Sequence, residues 1–143
     1  MSDPRLDHVG FVVAGIPEAA VRFGAYLPAA WDQVVYHDPN QNVLVSFLSG
    51  AGPGAPRIEL VEPADAASPV AAFLARGGGL HHLCYEVDSV ERELARCRAA
   101  GAVTVRPPLP AVAFAGRRIC WTLNGDRLLV EWLERATTAP PGP

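Results

Sequence analysis

Apolar positions along the chain fall into short strand-like runs broken by turn residues, with two stretches of helical period between them. Residues 6–13, LDHVGFVV, are apolar and β-branched enough for a strand. IPEAAVRFGAYLP (16–28) follows with apolar residues at helical spacing, and Pro17 suits a first helical turn. DQVVYHD, NVLVSFLSG and PRIELVEP then predict three strands separated by turn residues. The same order returns in the second half. LHHLCYEV (80–87) predicts a strand and VDSVERELARCRAAG (87–101) a helix, with Asp88 as N-cap, Glu91 three residues on and Gly101 as the stop. Strands near 102–106, 115–123 and 127–133 complete the unit.

The repetition extends to individual residues. LDHVGFVV laid over LHHLCYEV puts His8 over His82, 74 residues apart. IELVE (58–62) laid over VEWLE (130–134) puts Glu59 over Glu131, 72 residues apart. Two independent matches at nearly one offset mark a duplicated unit. The expectation is one domain of the α+β class, built from two βαβββ modules at 6–62 and 80–134. PADAASPVAAFLARGGG (63–79) reads as a linker with a short helix and a flexible triple glycine, and 135–143 as a disordered tail.

Side chains alternate along a strand, so Leu6, His8, Gly10 and Val12 share one face, and so do Leu80, His82, Cys84 and Glu86. The same alternation turns His81 away from His82. Glu59 and Glu131 are isolated carboxylates inside otherwise apolar strands. A buried carboxylate without a partner is strongly destabilising, so each needs a cation, a hydrogen-bond donor or a solvated cavity. A pseudo-twofold between the modules gathers His8, Glu59, His82 and Glu131 around one axis. Two imidazoles and two carboxylates form a ligand set for one divalent metal ion per chain, with room for water or substrate oxygens.

Composition narrows the function. A net charge of −3 carries no basic footprint for nucleic acid or anionic membrane. No apolar run approaches the roughly 20 residues that span a bilayer, and the N-terminus lacks a signal-peptide pattern, so a soluble cytoplasmic protein is expected. All twelve basic residues are arginine, which excludes lysine Schiff-base chemistry. Cys84, Cys97 and Cys120 form no Cys-x-x-Cys and read as buried thiols. Trp121 and Trp132 are candidates equally for pocket lining and core packing. Arg117 and Arg118 read as a solvated strand edge or an anion contact, and His37 as an exposed turn residue.

LDHVGFVV, IELVEP, SPVAAFLARGGGLHHLCYEV and the closing LLVEWLE together resemble the vicinal oxygen chelate (glyoxalase, bleomycin resistance, dioxygenase) superfamily, most of all its methylmalonyl-CoA epimerase type. The likeness spans residues 6–134, and its most specific part runs from Ser68 and Pro69 through the glycines into the double histidine. It implies an open eight-stranded half-barrel around one metal (Co, Mn, Zn, Ni, Fe or Mg) held by His8, Glu59, His82 and Glu131. It also implies stabilisation of an enolate of an acyl-CoA-like substrate, with Glu131 or Glu59 as the proton shuttle, and places His81 on the helix side or the rim. The expected partners are a small-molecule substrate and a second copy of the chain in a homodimer. The chain departs from the pattern in three places. NVLVSFLSG offers Val45 and Ser46 where some epimerases of this type carry an acid, AFAGRR lacks a histidine, and the turn NGD (124–126) is short. These departures point to altered substrate recognition. Two other functions suit the fold: a metal-dependent oxygenase or lyase of secondary metabolism, and a drug-binding resistance protein without catalysis.

Overall fold

Nine strands join in one open sheet in the computed structural model, which describes residues 2–136. They are β1 (Arg5–Val12), β2 (Ala29–Trp31), β3 (Tyr36–Asp38), β4 (Val43–Gly50), β5 (Arg57–Pro63), β6 (Gly79–Val87), β7 (Val103–Pro110), β8 (Arg118–Leu123) and β9 (Leu129–Glu134). The helices are α1 (Ile16–Tyr26), α2 (Ala71–Ala75) and α3 (Val90–Ala99), with a 3-10 turn at Val112–Phe114. Sheet order is β2-β4-β5-β1-β6-β9-β8-β7, with β3 also on β4. β1 and β6 run antiparallel at the centre, β1 lies parallel to β5, and β6 lies parallel to β9. This is a duplicated βαβββ architecture with its pseudo-twofold between β1 and β6.

The expected eight strands become nine because the second strand of the first module is interrupted. Gln33 takes a left-handed backbone (φ 63°), and the Asp32 carboxylate accepts from the Val34 N–H, so the chain leaves β4 after Trp31 and rejoins it at Tyr36. Asp38 is fully buried, yet its carboxylate accepts from the backbone N–H of Asn40 and Gln41 and the Gln41 amide, which fixes the turn into β4.

Alternation sorts the two faces. Leu48 and Leu60 turn toward Ile16, Ala19 and Ala20 of α1, while Cys120, Val130 and Trp132 pack on Val90, Leu94 and Cys97 of α3. Burying one such aliphatic side chain contributes about 1.5–3 kcal/mol. The intervening Phe47, Glu59 and Glu131 therefore face the other side. That face is a trough, because the sheet curls until Arg106 of edge strand β7 donates to the Asn40 carbonyl at 3.1 Å. β7 holds Pro107, Pro108 and Pro110, which an edge strand tolerates because those positions need no ladder donor.

Local details differ from expectation in physical ways. The N-cap of α3 is Ser89, whose hydroxyl accepts from Arg92 N–H at 3.1 Å; Asp88 instead accepts from Ser2 N–H and pairs with Arg135. Gly77, Gly78 and Gly79 all have positive φ, and a Cβ on Gly78 would stand 2.7 Å from the Val12 carbonyl oxygen. The triple glycine is thus a defined turn into β6 that only glycine fits. Arg135, placed in the expected tail, pairs with Glu86 and Asp88; residues 137–143 lie outside those described. Among the described residues no helix is long and apolar enough to cross a membrane.

Candidate metal centre

Register across the central seam places the four residues predicted from the duplication. Glu131 pairs with Cys84, which pairs with His8, forming one row across β9, β6 and β1. Glu59 pairs with Gly10, which pairs with His82, forming the second row across β5, β1 and β6. Each row therefore joins one module's histidine to the other's strand, and the rows lie two residues apart on the same face. His8, Glu59, His82 and Glu131 are all buried, with one donor atom from each inside a group no wider than 4.8 Å. His8 Nε2 stands 3.1 Å from Glu131 Oε1, and His82 Nε2 stands 3.2 Å from Glu59 Oε1. The two Nε2 atoms face each other at 3.2 Å.

This donor set fits a divalent cation. Two imidazole nitrogens and two carboxylate oxygens converge without a donor among them to satisfy all four. Glu131 Oε1 is a fully buried oxygen with no hydrogen-bond partner among the described residues, an arrangement costly unless positive charge meets it. His8 reports the same field. Burial alone would push it down, but the carboxylate of Glu59, with Cys84 and Asp7, holds it well above the ordinary histidine value. Glu59 is the complement: burial would push it up, and His8 and His82 hold it well below the usual carboxylate range.

Because Glu59, Cys84 and Asp7 hold His8 above its ordinary value, a metal competes with a proton for it. Apparent metal affinity is therefore expected to rise with pH, by up to about tenfold per unit, until pH passes the raised value and levels off above it. Calorimetric titration in buffers of different ionisation enthalpy checks this by counting released protons; an affinity independent of pH would contradict it.

The surroundings hold the cluster rigid. His8 Nδ1 meets Asp7 Oδ2 at 2.7 Å, and Arg57 donates to the same oxygen at 3.0 Å. The His8 ring packs against both Phe47 and Phe114, with centroids 5.7 Å from each, while the two phenyl rings meet at 5.8 Å. Trp121 packs on His82 at 4.7 Å, whereas Trp132 lies on the helix face and donates to Thr122 Oγ1 at 2.9 Å. Trp121 is thus the pocket residue and Trp132 the core residue. Gly10 is required by its neighbour: a Cβ there would stand 2.1 Å from Cε1 of His82. Gly10→Ala is expected to leave the chain folded but weaken metal binding by at least tenfold, since a displaced His82 no longer aims at the cluster. Metal titration alongside thermal melting separates the two effects.

Strand alternation put His81 opposite His82, and here the structure corrects it. The β1–β6 register slips between Gly10/His82 and Phe11/Leu80, making His81 an extra residue on β6. A bulge re-aims side chains in this way. His81 consequently lines the same cavity, and burial together with the neighbouring His82 pushes it down to about 4, so it is neutral near pH 7.

The cavity measures about 190 Å³ and opens from the cluster between apolar walls of Val43, Val45, Val61, Val70 and Phe114, with Arg106 at its mouth. Arg117 and Arg118 are engaged elsewhere, with Glu86 and with Glu91 and Glu134, and do not line it. His37 is exposed, and the three cysteines are buried free thiols as expected. Sequence reading passed over Asp7, Arg57 and Phe114. Asp7 had a usable signal, since the repeat lays it over His81.

Comparison with known proteins gives a consistent family. The profile described as Glyoxalase/Bleomycin resistance/Dioxygenase superfamily matches residues 7–121. The chain is 31% identical over 121 residues to an ethylmalonyl-CoA/methylmalonyl-CoA epimerase of Cereibacter sphaeroides, covering 80% of this chain and 84% of that one. Methylmalonyl-CoA epimerase from Mycobacterium tuberculosis superposes with a TM-score of 0.74 at 28% identity, over 93% of this chain and 89% of that one. A hypothetical protein from Bacillus halodurans superposes with a TM-score of 0.80 at 26% identity, over 97% and 99% of the two chains.

Proposed function

The chain belongs to the glyoxalase/bleomycin resistance/dioxygenase superfamily, and from that premise we propose that it is a metal-dependent epimerase or isomerase of an acyl-CoA-like substrate. The observation that carries this reading is the buried oxygen of Glu131, facing two imidazole nitrogens beside an apolar cavity. His8, Glu59, His82 and Glu131 would hold the ion. A divalent cation in that place supplies Lewis acidity, offsetting charge that develops on a carbonyl oxygen when the adjacent C–H is deprotonated.

The chain's own groups do the remaining work. Glu59 and Glu131 both line the cavity at the edge of the cluster, so a substrate's α-carbon beside the ion comes within reach of a carboxylate. Glu131 or Glu59 takes the α-proton as its hold on the ion loosens, and the carboxyl so formed returns a proton to the enolate; return to the opposite face inverts the centre. The carboxyl exchanges its proton with solvent before returning it, so solvent hydrogen enters the α-position. Val43, Val45, Val61 and Val70 exclude water and fit the substrate's apolar substituent, while Arg106 at the mouth suits an anionic carrier group.

Proton NMR of metal-loaded protein in deuterated buffer tests the reading, with methylmalonyl-CoA, related 2-substituted malonyl thioesters and cyclic 1,3-dicarbonyl compounds as substrates. Deuterium is expected to enter the α-position of at least one of them without uptake of dioxygen. Oxygen consumption, or tight stoichiometric binding of a bulky aromatic compound with no exchange in any candidate, would replace the isomerase with one of the two other functions.

A further inference from the structure

Each of the two histidines of the cluster is preceded by a residue that the duplication superimposes: Asp7 before His8 and His81 before His82. Each preceding residue is also the extra one at a register slip of the β1–β6 pairing. Asp7 sits between the Leu6/Tyr85 and His8/Cys84 pairs, and His81 sits between the His82/Gly10 and Leu80/Phe11 pairs. Both side chains end on Nδ1 of the histidine that follows. The distances are 2.7 Å from Asp7 Oδ2 and 2.8 Å from His81 Nδ1. Two bulges at equivalent places, with equivalent contacts, make a repeated device.

The two copies differ in chemistry. Asp7 is an acceptor only, braced by Arg57. The His81–His82 contact joins two nitrogens of the same kind, and a contact of this length holds a single hydrogen. His82 turns Nε2 toward Glu59 Oε1 at 3.2 Å and Glu131 Oε1 at 3.6 Å, so as a ligand it keeps that lone pair free and carries its hydrogen on Nδ1. His81 Nδ1 must then accept, which leaves the hydrogen of His81 on Nε2. Phe73 and Trp121 hold the His81 ring edge-on at 4.9 and 6.3 Å, so its acceptor is fixed in place.

We propose that His81 is a positioning residue: it accepts the Nδ1–H of His82 and so locks His82 in the tautomer and orientation that offer Nε2 to the metal, as Asp7 does for His8. The inference rests on the reading of His82 as a metal ligand. It makes the two histidines inequivalent. His8 is backed by a charged pair sealed from the cavity, and His82 by a neutral ring that lines it.

Zinc titration of the wild type, His81→Leu and His81→Gln tests this. The leucine has the bulk without an acceptor, and the glutamine oxygen can still accept. His81→Leu is expected to bind zinc about 10–100-fold more weakly, and His81→Gln within about threefold of wild type. Long-range proton–nitrogen spectra of zinc-loaded wild type should show His82 protonated and slowly exchanging at Nδ1, a signal lost in His81→Leu. Wild-type affinity in His81→Leu with that signal intact overturns the proposal, as does a wild-type spectrum with the hydrogen on His82 Nε2. Should His81→Leu fail to fold by circular dichroism, the wild-type spectrum and the glutamine variant decide. A wild type that binds no zinc removes the metal reading itself, a failure visible before any variant is compared.

Discussion

His8→Ala is expected to abolish stoichiometric binding of a divalent metal, and His82→Ala to do the same. Free energies of about 10–16 kcal/mol are typical for four-ligand zinc sites, so one ligand's share is about 3 kcal/mol, or roughly two orders of magnitude in affinity. Here the loss is compounded. His8 is fully buried against Phe47 and Phe114, so its removal leaves a void, and Glu131 Oε1, 3.1 Å from His8 Nε2, loses its nearest nitrogen. Two buried carboxylates then face a single imidazole. Elemental analysis of protein purified without chelator is the measurement. His37→Ala, on the exposed histidine of β3, is the control and should keep its metal. Equal metal content in all three variants would mean that the cluster is not the site.

Glu131→Gln is expected to lower turnover by about 10²–10⁴-fold while changing substrate affinity only a few-fold. The substitution keeps size and one oxygen and removes the capacity to take a proton. Glu131 is the stronger candidate of the two carboxylates for taking the substrate proton. Glu59 is held well below the usual carboxylate range by His8 and His82, which makes it a weak proton acceptor. Metal content measured on the same sample separates loss of the ion from loss of proton transfer. Turnover unchanged with weaker substrate binding would leave Glu131 a ligand and nothing more.

The departures at Val45 and AFAGRR acquire a physical meaning in the fold. Val45 lines the cavity as part of its apolar wall, and Phe114 of AFAGRR stacks on the His8 ring. Both positions put hydrocarbon next to the cluster. In the proposed function this leaves the α-carbon chemistry to Glu131 or Glu59 and the recognition of charge to Arg106.

The convergence of His8, Glu59, His82 and Glu131 was legible in the chain because duplication writes the pattern there twice. Nearly equal spacing of His8 with Glu59 (51 residues) and of His82 with Glu131 (49 residues) implies equivalent placement in two copies of one fold, and symmetry about the β1–β6 seam brings the copies together. That inference needs no knowledge of packing. The apolar strands and α3 were legible for a similar reason, since alternation and helical period are properties of consecutive residues. Three things required the tertiary structure. The role of His81 depends on a bulge, and alternation fails at the one residue that has no partner on β1. Trp132 follows Glu131 and takes the helix face by alternation, but Trp121 is set on the trough face only by the β8–β9 register that pairs it with Glu131. The nitrogen partner of His8 is Asp7, one residue away in sequence and useless as a partner in a regular strand, where neighbours point apart. Local pattern determines which residues are available; the register between distant strands decides which of them meet.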